Sequence, residues 1–297
     1  MDECAFCGTT SELRNSHVLP AFVFRWLKGR ATGHIRNTDN PNVRVQDGEK
    51  KPWLCGACEQ MFGQFERDFA TKLFHPWLNG QLSIRYTEWL LKFCVSVSWR
   101  VLKHCKGKNP NKVYTVEENE LSQNAADTWH DFLVGKIRHP AQFEQHLVIF
   151  DTIEDTTIDD LPTNINRFLV GAVTMDIVGS NRTMMTFAKL GRFCIFGFIK
   201  ANKREWEGTK VHVHQGIIKP GKYVLPYGLM ALIREKAELY ESAMEKLTPN
   251  QRKKIDNSVQ DNLDIFANSD HFAAMLADAR MFGDSVIISK PVGSDNQ

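Results

Sequence analysis

Cys4-Ala-Phe-Cys7 and Leu54-Cys55-Gly-Ala-Cys58-Glu59 are the stretches that decide how the first part of this chain folds. Each C-x-x-C is a tight knuckle that can present two thiolates to one tetrahedral ion, with zinc–sulfur bonds of about 2.3 Å. Four of the seven cysteines fall in these pairs, whereas Cys94, Cys105 and Cys194 stand singly inside apolar runs. A redox dithiol would place one such pair at a strand-to-helix junction. Two pairs flanking a long insert instead predict a structural Zn2+ site on Cys4, Cys7, Cys55 and Cys58.

Working outward, the bulk properties make that site local architecture. The chain has 297 residues, 42% hydrophobic and 24% charged, ordinary proportions for a globular protein. A chain this long buries most of its unfolded surface and needs no staple for general stability. The net charge of +2 argues neither for nor against a polyanionic partner. Met1 runs straight into Asp2-Glu3-Cys4, with no charged n-region and apolar h-region. The longest apolar stretch, Trp89 to Leu102, is interrupted by Lys92, Ser96, Ser98 and Arg100, so no membrane span is expected. Unpaired cysteines and metal-type spacing fit a reducing cytoplasm.

Two units are expected, residues 1–80 and 81–297. In the first, Gly29 to Lys51 has no sustained periodicity and reads as a long loop or hairpin. Met61, Phe62, Phe65, Phe69 and Leu73 then follow a helical spacing, and Pro76 either ends that helix or begins the next connection. In the second, helices are expected over Leu82–Cys105 and Val116–Gly135. Strands are expected at Gln145–Phe150, Arg167–Val178, Thr183–Leu190, Arg192–Lys200 and Lys210–His214, with turns at 179–182 and 190–192 making part of the sheet antiparallel. Helices return at Pro226–Lys246, after a capping box at Thr248-Pro249-Asn250-Gln251, and over Ser269–Phe282 before Gly283.

The insert between the cysteine pairs carries Asn15-Ser16-His17-Val18-Leu19-Pro20, and Glu59 directly follows the last cysteine. This order resembles the zinc-containing branch of the HNH (ββα-metal) endonuclease family: CxxC, an acidic residue and histidine followed by two residues and proline, a loop, then CxxC with His or Asn next. The resemblance covers about 70 residues, a quarter of the chain. It implies an N-terminal zinc-bound ββα-metal (treble-clef) module and says nothing of the rest, whose helices and partly antiparallel strands, read above, make the whole an α+β protein with a larger second domain. The resemblance also implies His17 as a general base activating water against a phosphodiester. A divalent cation, Mg2+ or Mn2+, would be held at Ser16 and Glu59. Ser16 stands where the family carries an acid, and carboxylate at Glu59 suits Mg2+ better than imidazole does. Asn42 and Asp47 are both candidates for the asparagine that braces the loop. Glu66, seven residues beyond Glu59 and about two turns along the same helix face, is either a carboxylate that supports the site from behind its ligands or an ordinary exposed residue. Members of that family often act in bacterial or phage conflict.

The partner implied is nucleic acid, DNA before RNA. Between Arg25 and Lys51 seven basic residues face three acidic ones, and Arg25, Lys28, Arg30 and Arg36 are the candidate phosphate contacts. The C-terminal unit could instead engage a protein partner, and the whole module could bind without cutting. His212-Val-His214 offers two imidazoles with no third ligand near in sequence, so an exposed strand face is the plainer reading. The seven tryptophans read as packing.

Overall fold

The computed structural model describes residues 1–29, 35–108, 114–156, 158, 160–180, 182–201 and 203–286. Arg30 and Asn181 lie outside the described residues.

The chain opens with β1 (Asp2–Glu3) and β2 (Thr10–Ser11), an antiparallel pair around the first knuckle, then β3 (Leu13–His17) and α1 (Ala21–Lys28). The long insert forms a small hairpin of β4 (Ile35–Arg36) and β5 (Arg44–Val45). β6 (Lys50–Cys55) returns antiparallel to β3, with a register shift at Arg14/Asn15, and runs directly into α2 (Gly56–Phe69). That hairpin followed by a helix is a ββα-like N-terminus. α2 itself ends at Phe69, and Pro76 stands at the start of the helix that follows. A π-helical turn at Ala70–Phe74 carries the chain into α3 (His75–Leu78), where Pro76 occupies the first turn and its missing N–H costs nothing.

β7 (Ile84–Thr87) and α4 (Glu88–Lys108) correct the single helix expected from Leu82. Ile84 and Tyr86 are buried while Arg85 and Thr87 are exposed, a period of two that belongs to a strand. α5 (Val116–Leu133) starts with a complete capping box between Thr115 and Glu118. β8 (Gln145–Ile149) is followed by α6 (Ile165–Gly171), which replaces the first part of the strand expected from Arg167. Its N-terminal N–H groups, those of Asn166 and Arg167, are accepted by the buried Asp278 carboxylate, which Arg167 also pairs at 2.8 Å. The cap thus comes from far along the chain.

β9 (Val173–Ser180) keeps the second part of the strand expected from Arg167 and runs two residues into the expected turn. β10 (Thr183–Leu190) and β11 (Phe193–Lys200) follow as expected, and the antiparallel sheet has the order β8-β11-β10-β9. Residues 210–214 form no strand. They make one bridge to β8, and the pairing strand is β12 (Gln215–Ile218), which joins β7. α7 (Tyr227–Glu245), α8 (Pro249–Gln260), α9 (Leu263–Ala267) and α10 (Asp270–Phe282) complete the fold. Thr248 is the N-cap of α8, yet its hydroxyl makes no capping hydrogen bond; Ser269 does cap α10, through the Phe272 N–H. Gly283, at φ 87°, ends it.

Aromatic side chains from both sides of residue 80 share one core. Phe69 of α2 stacks on Phe93 of α4 with ring centroids 3.8 Å apart, and Phe6 of the knuckle packs edge-on against Phe62 and Trp99. This core fixes the hairpin and α2 against α4. Together these elements make a mixed α+β fold with a cysteine cluster at its N-terminal end. No helix among the described residues is long and apolar enough to cross a membrane.

Candidate metal centre and adjoining histidine site

Four sulfurs meet where the first knuckle touches the β6–α2 junction. The ligand atoms of Cys4, Cys7, Cys55 and Cys58 all lie within 4.8 Å of one another, and Cys7 Sγ is 3.8 Å from Cys55 Sγ. The edge of a tetrahedron with 2.3 Å zinc–sulfur bonds is about 3.8 Å, so the donor set fits a metal ion such as zinc in both size and softness. The backbone is arranged for it. Gly8, at φ 72°, closes the first knuckle onto the Cys4 carbonyl, the Ala5 N–H bonds the Trp53 carbonyl of β6, and the Cys55 N–H points at Cys4 Sγ from 3.3 Å. Cys55 is the N-cap of α2 and Cys58 lies in its first turn, where the helix dipole favours thiolate. As free thiols the cysteines diverge: hydrogen bonding with Thr9 brings Cys7 down to about 6, while burial and the neighbouring thiols push Cys58 up. A bound cation would ionise the whole set.

Alongside this cluster the predicted site residues form two pairs. Ser16 and His17 are neighbours on β3 and so face opposite sides of the strand. The buried Ser16 hydroxyl donates to Glu59 Oε2 of α2 at 2.5 Å. His17 turns the other way, where its Nε2 lies 3.0 Å from Asp47 Oδ2, an ion-pair distance but too oblique for a linear hydrogen bond. Phe24 of α1 lies nearly parallel to the imidazole, 6.2 Å away, and fills the space over Gly48, where a Cβ would fall 2.1 Å from its ring. Of the two brace candidates, Asp47 reaches His17. Asn42 spends its side chain on the α7–α8 turn, bonding the Lys246 carbonyl and the Thr248 N–H.

Burial pushes the Asp47 carboxyl up, but hydrogen bonds from Lys50 (2.7 Å) and the Gly48 N–H, together with the His17 ring 3.0 Å away, outweigh it and bring it down to about 2. A depressed carboxylate contributes stability that is present above its unfolded value near 3.8 and lost as pH falls through about 2. Asp47→Asn is therefore expected to cost on the order of 1 kcal/mol at pH 7, discounted for a side chain nearly a third exposed. At pH 2 most of the difference from wild type should vanish, which urea melts at the two pH values would measure.

Glu66 is neither a free site carboxylate nor an exposed residue. Its Oε1 accepts from Arg100 Nη1 of α4 at 2.6 Å, and the same nitrogen makes a long 3.4 Å contact with the His17 carbonyl. Arg100 is the site residue that the sequence reading missed. Its signal was present: a charged residue between Trp99 and Val101 in a buried helix must have a partner. Among the predicted phosphate contacts, Arg25 and Lys28 are exposed on α1. Arg36 is committed elsewhere, donating to the Pro41 carbonyl and to Gln251 of α8.

Comparison with protein-family models, curated proteins and solved structures finds no match to this chain. Among the described residues, the four cysteines are the one group of three or more His, Cys, Asp or Glu side chains close enough to share an ion.

Proposed function

We propose that residues 1–80 are a zinc-stabilised, HNH-like module that hydrolyses phosphodiester bonds of nucleic acid, with residues 81–297 serving recognition or assembly. The observation that carries this reading is the His17–Asp47 pair, beside a hairpin whose far strand ends at Cys55 of the cysteine cluster and leads into α2, which carries Glu59. With Nε2 facing Asp47, Nδ1 of His17 is the nitrogen left to take a proton from water. Asp47 orients the ring and balances the charge that develops on it. A Mg2+ or Mn2+ held by Glu59, with Ser16 near it, would supply charge to the phosphodiester oxygens only once Glu59 leaves the Ser16 hydroxyl and turns to the His17 face of β3. Arg25 and Lys28 are the exposed cations that would meet the backbone, DNA before RNA, and such contacts weaken as salt rises.

The test compares wild type with His17→Ala on plasmid DNA and on RNA, with either cation added. Cleavage by wild type and a loss of roughly 10²–10⁴-fold in the variant is expected for a general base. Equal activity, or none from either protein, sinks the catalytic reading.

A second reading is favoured by the Ser16–Glu59 contact, which turns the carboxylate inward at 2.5 Å. In it the same scaffold is a noncatalytic treble-clef zinc module that binds nucleic acid or a partner protein. Salt-sensitive binding without cleavage, unchanged in His17→Ala, would establish it.

A further inference from the structure

His212 and His214 have no third polar partner near them in sequence, but the fold supplies several. Residues 209–211 run antiparallel along the outer edge of β8. The Leu147 N–H bonds the Thr209 carbonyl at 2.8 Å and the Val211 N–H bonds the Gln145 carbonyl at 2.9 Å. Val211 and Val213 turn inward and the two histidines outward, beside a cavity of about 440 Å³. His139, Glu144, Gln145 and Lys210 line the same cavity, and Leu91 and Pro140 give it an apolar wall. That volume lies in the range of small-molecule sites.

The polar groups of this cavity are mostly donors. His139 Nδ1 accepts the Ala141 N–H at 3.1 Å, which puts the ring proton on Nε2 and makes that nitrogen a donor. Lys210 donates to Glu144 at 2.8 Å and carries two further protons. Gln145 is fully buried; its Oε1 accepts from Ser98 at 2.7 Å, and its Nε2 has no acceptor. A buried amide donor left without an acceptor costs about 1–3 kcal/mol. Glu144 is the acidic group of the lining. Its charge is met by Lys210, and His146 Nε2 lies 3.7 Å away. A metal ion fits poorly. The ring nitrogens and the carboxylate do not converge on one point, and His139 would have to give up its backbone hydrogen bond to become a ligand.

We infer that this cavity binds a small organic oxyanion, with a phosphate or carboxylate head on the His139–Lys210–His212–His214 side and an apolar body against Leu91 and Pro140. The site is separate from the cysteine cluster and does not depend on the nuclease reading.

The test follows the histidine ring signals of the full-length, metal-loaded chain by NMR during titration with phenyl phosphate, with benzoate and with neutral benzyl alcohol. Saturable shifts of His139, His212 and His214 with at least one of the two anions, and none with the alcohol, are expected; the tighter anion identifies the head group. In the triple variant His139→Ala/His212→Ala/His214→Ala, whose replaced side chains are exposed, the apparent Kd should rise at least about tenfold. No saturation with either anion overturns the proposal. So does an equal response to benzyl alcohol, or an affinity unchanged in the triple variant.

Discussion

Cys55→Ser is expected to strip the bound metal from the protein and to loosen everything the metal joins. Cys55 occupies three roles at once: the last residue of β6, the N-cap of α2 and one of four sulfurs within 4.8 Å. Its N–H also supports Cys4 Sγ. Structural zinc in small domains carries an apparent binding free energy of about 10–16 kcal/mol at neutral pH. Losing even part of that exceeds what the short strands β1 and β2 can supply from two paired residues each. The rings of Phe69, Phe93 and Phe193 pack on one another, and that part of the core should persist. Elemental analysis should therefore fall from about one zinc per chain to none. Amide exchange should accelerate in residues 2–17 and 50–58 while β10 and β11 stay protected. A variant that keeps its metal, or a metal-free wild type with unchanged exchange, would overturn the assignment.

What could be read from the sequence divides along a physical line. Cysteine spacing reports the metal cluster because ligand geometry is local within each knuckle, and two knuckles are enough to specify four sulfurs. The hairpin of β10 and β11 was legible for the same reason, since Gly191 at φ 62° lets Leu190 and Phe193 pair across a tight turn. The misreadings are all places where a distant residue decides. Arg167–Gly171 has an apolar run that suits a strand, but Asp278 caps it as a helix. Residues 210–214 alternate like a strand, yet lie as a strap against β8 with one bridge. Ser16 and Glu59 were expected to act at one point with His17. Strand alternation separates them, and Asp47, brought in by the insert, becomes the histidine's neighbour. His139 joins His212 and His214 through the wall of one cavity, a proximity that no sequence spacing encodes.

The Glu66–Arg100 pair is the second place where one substitution should have a large effect. Arg100 is 2% exposed and its counter-charge is 2.6 Å away, with Nε on the Ser96 carbonyl and the guanidinium 5.2 Å from the Phe62 ring. Glu66→Ala removes the balancing charge and leaves a buried cation, which costs about 3–5 kcal/mol. That is a large share of the roughly 5–15 kcal/mol that holds an ordinary domain folded. Removing both charges should be far milder, because apolar replacements of similar volume often match a buried ion pair. Urea denaturation of Glu66→Leu, Arg100→Met and the Glu66→Leu/Arg100→Met double variant should thus give a double variant more stable than Glu66→Leu. Additive losses would mean that the pair contributes little as a pair. The contact of Arg100 Nη1 with the His17 carbonyl extends the consequence to the site. α4 holds the backbone of β3 and the flank of α2 through one guanidinium, so its loss should disturb His17 and Glu59 together while leaving the four sulfurs in place. Metal content that is unchanged in Glu66→Ala, alongside lowered stability, would separate this clamp from the cysteine cluster.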